Sequence, residues 1–400
     1  MKWINEELFM EKYMWLGSKV LVTIILTIGI IFTSLLAIIY TSMTVSTGRT
    51  LVYVLIILLA LGIVVFWILG VFNILHTKKL VISMGIYFGM CLLVFVGYQW
   101  YVNYLDSLEV VSTQDVDLRA YQPFTEGNEL VTFDEESTID LENELPVLDG
   151  ATALYPVYAA FAQAVYPEKD YPFYEGEVMV TQTPRAYENL LNDRADLIFV
   201  AGPSHQQKQA FETNGKELNM TPIGKEAFVF FVNVDNPVDE LTVEEVQGIY
   251  SGEITNWKDV GGQDEAIKAF QRPENSGSQT TLEKIMDGVQ LMEPPKDDVV
   301  SGMGGIIEET SDYRNHRNSI GFSFRYFANE MVEQGEIKFL EINGVYPDKA
   351  SVQEGTYLFT DHFYAVSTES SHDNVAEFKD WILSNQGQEL IEETGYVPVK

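Results

Sequence analysis

Cysteine is almost missing from this sequence, since Cys91 is the only one among 400 residues. A single thiol excludes an internal disulfide bond and a metal site that is built from several cysteines. The sequence also lacks a Gly-x-Ser-x-Gly elbow and a nucleotide-binding loop, two motifs that mark common enzymes. We therefore expect no cofactor, no bound metal and no catalytic residues.

Basic residues are scarce as well. Lysine and arginine number 25 against 58 aspartates and glutamates, which gives a formal net charge of −33. This balance argues against nucleic acid as a partner, because phosphate backbones require basic surfaces. It also means that the chain exerts no general attraction on anions, so that any anion site must rely on local hydrogen-bond donors.

Charged residues are missing from two long stretches near the amino terminus. Arg49 is the only lysine, arginine, aspartate or glutamate between residues 20 and 77, and residues 80–105 contain none. Three buried helices of a soluble core would be the alternative to a membrane anchor, but the length and apolarity disfavour them. Residues 1–105 are thus predicted to anchor the chain in lipid without a cleavable signal peptide. Three runs are long enough to span a bilayer: 20–40, 51–72 and 80–101.

The short loops between these runs predict the orientation. Lys78 and Lys79 lie in the second loop, whereas the first loop, 41–50, holds only Arg49. By the positive-inside rule the second loop is cytoplasmic, so the amino end of the chain is cytoplasmic too. The residues after about 105 are then expected on the extracytoplasmic side of the cell membrane.

Residues 106–145 are strongly acidic. They hold twelve aspartates and glutamates and one basic residue, Arg119. Such a charge run is usually solvated and poorly packed, which predicts a stalk or linker. The same residues could instead lie along the domain that follows, and the sequence leaves both possibilities open.

Residues 146–400 have the pattern of an α/β domain. Two amphipathic helices are predicted, one after the turn at 149–152 and one after Thr183, and His316 is expected on the surface. Because strands and helices alternate, parallel sheets are expected, with ligands at the carboxyl ends of the strands. The predicted strands are 178–181, 197–201 and 228–234. The loops where a ligand is expected hold Thr152, Thr183, Ala201 and Arg272.

The segment from Arg272 to Met286 has the features of an anion-binding turn. A short strand over 267–270 leads to the turn Ser276-Gly277-Ser278, after which a helix begins. The N–H groups at a helix start carry the positive end of its dipole, and Arg272 adds a charged fork that suits oxyanions. An ordinary capped helix with a surface arginine is the alternative. The helix cap stays open between Thr280, in a capping box with Glu283, and Ser276 or Ser278.

At this point the sequence resembles the PstS-type phosphate-binding proteins, which have the periplasmic-binding-protein type II fold. The resemblance runs from about residue 147 to the end of the chain. Its middle block and its tail are long and specific. The blocks that carry it are 149–156 (DGATALYP), 236–238 (NPV), 248–262 (GIYSGEITNWKDVGG), Arg272 with 276–278 (SGS), 319–323 (SIGFS), 381–388 (WILSNQGQ) and 395–398 (GYVP).

The resemblance implies a two-lobed α/β fold, preceded here by the three predicted transmembrane helices. Two lobes, joined by two crossovers, would close over inorganic phosphate or a similar oxyanion. By position, the first lobe would hold about 146–225 and 345–400, and the second about 226–344. The matching positions imply Thr152, Ala153 and Thr183 as contacts from the first lobe and Arg272, Ser276, Gly277 and Ser278 as contacts from the second.

The sequence departs from the family pattern at Ala201. The family usually has an aspartate at the end of that strand, where it accepts the proton of hydrogen phosphate. A carboxylate at that place selects a protonated oxyanion and repels a fully ionised one. Its replacement by alanine leaves open which oxyanion this protein prefers.

Three functions follow as hypotheses. The first is a membrane-tethered solute-binding protein that serves an ABC-type uptake system through a permease partner. The second keeps the binding fold but acts as an anion sensor or surface-interaction protein with a membrane partner. The third is a serine hydrolase, which the missing elbow motif disfavours. Its candidate residues would be Ser276, Ser278, His205, His316, His362 and His372.

Overall fold

The computed structural model describes residues 2–44, 49–106, 110–111, 117–133, 135–142, 144–293, 313–331, 337–369 and 373–399. The described residues fall into two compact units, one formed by the amino-terminal helices up to residue 106 and one by the residues from 110 onward. Each unit is taken by itself below. His372 lies outside the described residues.

The first unit consists of three helices, α1 (Lys2–Thr44), α2 (Arg49–Val71) and α3 (Thr77–Asp106). Each contains a segment long and apolar enough to cross a membrane, which confirms the three predicted apolar spans. The segments are Tyr13–Thr41, Val52–Val71 and Thr77–Tyr101.

Polar side chains connect neighbouring helices of this unit. The Lys19 ammonium donates a hydrogen bond to the Val71 carbonyl at 2.6 Å, where it meets the negative end of the α2 dipole. The Tyr87 hydroxyl donates to the Leu58 carbonyl at 2.7 Å. Gly62 leaves room for that ring, because a Cβ there would lie 2.3 Å from Tyr87 Cε1.

The second unit is a mixed α/β domain with short helices around one large sheet. Its helices are α4 (Tyr155–Val165), α5 (Gln182–Leu191), α6 (His205–Thr213), α7 (Val243–Ser251), α8 (Gly277–Ile285), α9 (Lys349–Glu354), α10 (Asp373–Ile382) and α11 (Asn385–Glu393). Its strands are β1 (Val110–Val111), β2 (Leu148–Gly150), β3 (Leu197–Val200), β4 (Leu218–Asn233), β5 (Glu240–Leu241), β6 (Lys268–Ala269), β7 (Tyr313–Arg314), β8 (Ser319–Phe324), β9 (Ile337–Phe339), β10 (Glu341–Ile342), β11 (Thr360–Thr368) and β12 (Val397–Pro398).

The long strand β4 takes part in two groups of strands. Its first part, up to Ala227, pairs with β11, which continues to β3 and β2. Its last part, from Phe228, pairs with β8, which continues to β6. We call these the first strand group and the second strand group. The sheet order is β2-β3-β11-β4-β8-β6.

The expectation of parallel sheets is wrong for most of this domain. Only the pairs β2 with β3, β6 with β8 and β5 with β10 are parallel among the described strands. The central strands β4 and β11 run antiparallel to each other and to their other partners. The reason is that β4 and β11 cross the whole domain and pair with one another instead of alternating with helices.

Two further expectations are corrected or refined here. Residues 178–181 form no strand, since Val178 makes only an isolated bridge to Leu148. The described residues within 117–142 lie along the domain: Leu130 and Leu141 are buried in its core, and the Leu141 N–H donates to the Val165 carbonyl at 2.9 Å. The acidic run therefore has apolar anchors that its charge concealed.

Helix α4 lies against the first strand group through a fully buried stripe. Leu154, Val157, Tyr158, Phe161 and Val165 are all buried, as predicted. The Tyr158 ring stacks on Phe199 of β3 with 4.9 Å between the ring centroids. This packing fixes the start of α4, and therefore the loop with Thr152 and Ala153, relative to the end of β3.

Candidate functional site

The start of helix α8 is built by a serine cap. The Ser276 hydroxyl accepts a hydrogen bond from the Gln279 N–H at 3.2 Å, which leaves Thr280 without the capping role. The Gln279 side chain in turn accepts from the Arg272 N–H at 2.9 Å. The loop that carries Arg272 is thereby tied to the first turn of the helix. The N–H groups of Gly277 and Ser278 precede the ladder of the helix and belong to its positive end.

Asp149 joins the two loops that were predicted to contact the ligand from the first lobe. Its carboxylate is fully buried and accepts hydrogen bonds from the N–H groups of Gly150 and Thr181, both at 2.8 Å. It also accepts from the Thr181 hydroxyl at 2.6 Å and from the Asn189 amide at 2.8 Å. One side chain at the end of β2 therefore fixes the start of α5, where Thr183 lies.

The ends of four elements meet at one small cavity of about 20 Å³, which leaves room for little more than one water molecule. Its lining includes Ala153, Thr183, Ala201 and Gly277. A Cβ at Gly277 would lie 3.3 Å from Thr183 Oγ1 and 3.7 Å from the Ala201 Cβ. The start of α8 in the second strand group thus lies directly against the loops of the first.

The seven predicted ligand residues are only partly brought together by this cavity. Ala153, Thr183 and Gly277 line it, whereas Thr152, Arg272, Ser276 and Ser278 are not among its lining residues. Thr152 is buried beside Ala153 in the turn before α4. Arg272, Ser276 and Ser278 are partly exposed on either side of Gly277. Ligand contacts from all seven therefore stay a prediction.

Three polar residues that sequence reasoning missed also line the cavity: Glu226, Asp361 and His362. Glu226 lies in the part of β4 that the sequence did not predict as a strand. His362 was considered only as a catalytic base. The signal that could have found them is the acidic and imidazole side chains of 360–362 at the start of a strongly apolar strand, since polar residues at strand ends often face ligands.

Glu226 is the most deeply buried carboxyl of the cavity, with 5% of its surface exposed. Burial raises its pKa to about 7, against the opposing effects of Arg325 and of hydrogen bonds from the N–H groups of Ala227 and Tyr326. Arg325 Nε lies 3.4 Å from Glu226 Oε1. The desolvation of a buried carboxylate thus outweighs its partial pairing with the guanidinium.

Tyr396 supports the opposite wall of the cavity. Its buried hydroxyl donates a hydrogen bond to the Ala153 carbonyl, and its ring packs on Tyr326 with 4.5 Å between the centroids. Burial is the main reason that its pKa lies well above the ordinary value, so it remains a neutral donor. The end of the chain therefore holds Ala153 in place.

Asn275 makes a polar bridge from the second strand group to helix α6. Its side-chain oxygen accepts a hydrogen bond from the Ser204 hydroxyl at 2.7 Å, and its amide donates to the Gln206 side chain at 2.9 Å. Its carbonyl accepts from the Gln207 side chain at 3.2 Å. Asn275 has a φ of 63°, a left-handed conformation that asparagine tolerates better than most residues. These contacts close the mouth of the cleft.

The histidines and acids form no catalytic or metal arrangement among the described residues. No group of three histidine, cysteine, aspartate or glutamate side chains there could hold a metal ion. His316, expected at the surface, is buried at 8% exposure because it lies beside Asn315 and the buried start of β8. His205 is exposed at the start of α6. The Ser276 hydroxyl serves as a helix cap.

Comparison with known proteins identifies the domain. The model of the PBP superfamily domain matches residues 146–386. The phosphate-binding protein PstS of Borreliella burgdorferi is 29% identical over 199 residues, which are 48% of this chain and 69% of that protein. PstS of Bacillus subtilis is 29% identical over 171 residues, which are 42% of this chain and 53% of that protein. Both are named as binding proteins rather than enzymes, in agreement with the sequence prediction.

Solved structures give the same kind of match. The crystal structure of an ABC-type phosphate transport receptor from Vibrio cholerae has a TM-score of 0.44 at 20% identity and covers 63% of this chain and 99% of its own. PstS from Borrelia burgdorferi has a TM-score of 0.41 at 22% identity and covers 64% of this chain and 100% of its own. Since the family model matches more than half of its residues, the chain belongs to the PBP superfamily.

Proposed function

We propose that this protein is a membrane-tethered, extracytoplasmic solute-binding protein whose ligand is inorganic phosphate or a similar oxyanion. One observation carries the proposal: Thr183 and Ala201 face Gly277 at the start of α8 across a common cavity. A helix start, a threonine hydroxyl and a nearby arginine are the donors that a compact oxyanion needs. The phosphate-binding relatives support the same ligand class.

The proposed mode of binding is closure of two lobes over the anion. The first lobe would contribute Thr152, Ala153 and Thr183, and the second would contribute the loop from Arg272 to Ser278. The small cavity favours an inorganic ion over an organic phosphate, because even four oxygens require the walls to move apart. Exclusion of water on closure would strengthen each hydrogen bond to the anion.

The long strand β4 is the proposed hinge between these lobes. Its pairing passes from β11 to β8 between Ala227 and Phe228, and the register with β11 shifts between Phe363 and Tyr364. Such an irregularity weakens the ladder locally and gives a place for the sheet to bend. The walls of the cavity on either side would then separate as the strand flexes.

The three apolar helices would hold the domain at the membrane, with the amino end in the cytoplasm and the binding domain outside. A permease of an ABC-type system is the proposed partner, because the chain shows no nucleotide-binding motif of its own. A sensor role with a membrane kinase or regulator is the second candidate, which the three spans favour since tethering needs only one. Copurification from native membranes with a permease or with a regulator separates the two.

Titration calorimetry of the full chain in detergent tests the ligand. Phosphate and sulfate should each release or absorb heat with saturation, whereas small carboxylates should bind weakly. Arg272→Ala should lower the phosphate affinity by about tenfold, because a charge-assisted hydrogen bond is lost. Arg317→Ala is the matched control, since Arg317 is an exposed arginine outside the cavity lining. Equal affinities of the two variants would contradict the assignment of Arg272.

A further inference from the structure

Lys284 lies in the last turn of α8 on the same face as Gly277. The two positions are seven residues apart, which is about two helical turns, so both side chains project toward the first strand group. Side chains on a helix also lean toward its amino end. The long Lys284 side chain therefore extends back toward the start of the helix, where the proposed anion site lies.

Two contacts fix the position of the Lys284 ammonium. A Cβ added at Gly202 would lie 2.9 Å from its Nζ, so the ammonium rests against the loop that follows Ala201. Its Nζ also lies 3.7 Å from Asp361 Oδ2, and Asp361 lines the same cavity as Gly277 and Thr183. The charge thus sits at the edge of the cleft, beside the two residues, Ala201 and Gly202, that carry no polar side chain.

The ion pair with Asp361 is easily exchanged for another partner. The Lys284 and Asp361 side chains are 46% and 47% exposed, and 3.7 Å is long for a hydrogen bond. Partly exposed pairs of this kind contribute little to stability because water competes for both charges. An ammonium has three donors on a flexible stem, so it can leave the carboxylate and turn toward an oxyanion at small cost.

We propose that Lys284 is an additional anion-binding residue of the cleft and that Asp361 competes with the ligand for it. The pair would then set the charge preference of the site. With Arg272 it supplies two positive charges, which favours a doubly charged tetrahedral oxyanion such as sulfate or the phosphate dianion. This inference rests on the proposed oxyanion-binding function and adds a specificity residue to it.

Opposite effects of two conservative variants test the proposal by calorimetry of the full chain in detergent with sulfate and with phosphate at pH 8. Lys284→Gln should lower the affinity for both anions by about tenfold, since it removes a charge but keeps a donor. Asp361→Asn should raise the affinity by roughly threefold, since it removes the competitor. Asp361→Asn retains the acceptor for the His362 N–H, which Asp361 Oδ1 now holds at 2.8 Å.

The exposed ion pair of Lys258 and Asp264, with 3.1 Å between Nζ and Oδ1, is the matched control. Lys258→Gln and Asp264→Asn should leave both affinities unchanged. If wild type binds and both cleft variants weaken binding equally, Lys284 and Asp361 act only as a clasp and the inference is overturned. It is overturned as well if wild type binds and neither cleft variant changes the affinity. If wild type binds neither anion, the proposed function fails together with the inference.

Discussion

Glu226 and Arg325 face each other where the two strand groups meet, with 3.4 Å between Oε1 and Nε. Both side chains are largely removed from solvent, at 5% and 13% exposure. The Arg325 guanidinium also donates from Nη2 to the Gly395 carbonyl at 2.7 Å. The pair therefore links β4 and the end of β8 to the end of the chain, beside the cavity that Glu226 lines.

The raised pKa of Glu226 predicts a loss of stability as the pH rises. Its pKa in the folded chain is about 7 against an ordinary value of 4.5, so the folded state binds this proton more tightly than the unfolded state. The stabilising contribution is complete below pH 4.5 and is lost as the pH rises through 7. The shift corresponds to at most about 3 kcal/mol of unfolding free energy.

Glu226→Gln should remove this component, because glutamine stays neutral throughout. Thermal unfolding of the full chain in detergent at pH 5 and pH 8 measures it: the fall in melting temperature between the two should be smaller in the variant than in wild type. Glu217→Gln, an exposed change next to β4, should leave the fall unchanged. An equal fall in wild type and Glu226→Gln would show that the carboxyl of Glu226 has an ordinary pKa.

Asp149→Ala is predicted to destabilise the domain and to weaken anion binding. The change leaves donors of Gly150, Thr181 and Asn189 buried without their acceptor. The cost should be about 3 kcal/mol of unfolding free energy, since several hydrogen bonds to one buried charge are lost. Denaturant unfolding measures the first effect and phosphate calorimetry the second. Asp264→Ala, at an exposed carboxylate, should change neither; a similar stability of both variants would contradict the role of Asp149.

Asn275→Gly should loosen the closed cleft without straining the backbone, because glycine accepts the φ of 63°. The variant loses the side-chain hydrogen bonds to Ser204 and Gln206. With fewer contacts across the mouth, phosphate should dissociate several-fold faster in a stopped-flow chase. Asn343→Gly is the control, since Asn343 has a φ of 51° but lies between β10 and the start of α9, away from the cavity lining. A dissociation rate unchanged in Asn275→Gly would mean that these bonds do not hold the cleft shut.

Gly277→Ala should impair closure while leaving α8 intact. Alanine is a better helix former than glycine, but its methyl group would lie 3.3 Å from Thr183 Oγ1, tighter than ordinary contact. We expect a melting temperature equal to that of wild type and a phosphate affinity lowered by about tenfold or more, since the methyl group also occupies the proposed site. Unimpaired phosphate affinity would place the ligand elsewhere.

Local patterns in the sequence were enough to predict the parts of the fold that depend on neighbouring residues. The stripe from Leu154 to Val165 is spaced for a helix and is buried as one, and the apolar runs of α1, α2 and α3 are as long as a bilayer requires. The first part of β4 escaped prediction because 218–225 alternates polar and apolar residues weakly and contains Pro222. Its strand form comes from pairing with β11, far away in the sequence.

The site shows the same division between local and distant causes. Gly277 and Thr183 were found because a turn before a helix has a recognisable composition. Glu226, Asp361 and Lys284 were missed because each reaches the cleft from a different element, and only the folded chain brings them together. A charged residue in a strand or helix carries no sequence mark that distinguishes a surface position from a cleft position.

The uninterrupted course of β4 through both strand groups limits how the domain can move. A covalent strand cannot slide against itself, so any widening of the mouth at Asn275 must appear as bending near Ala227, where the partner of β4 changes. The Glu226 carboxyl sits at that bend. Opening would therefore admit water to it, and the proton that it holds in the closed form would become easier to release at neutral pH.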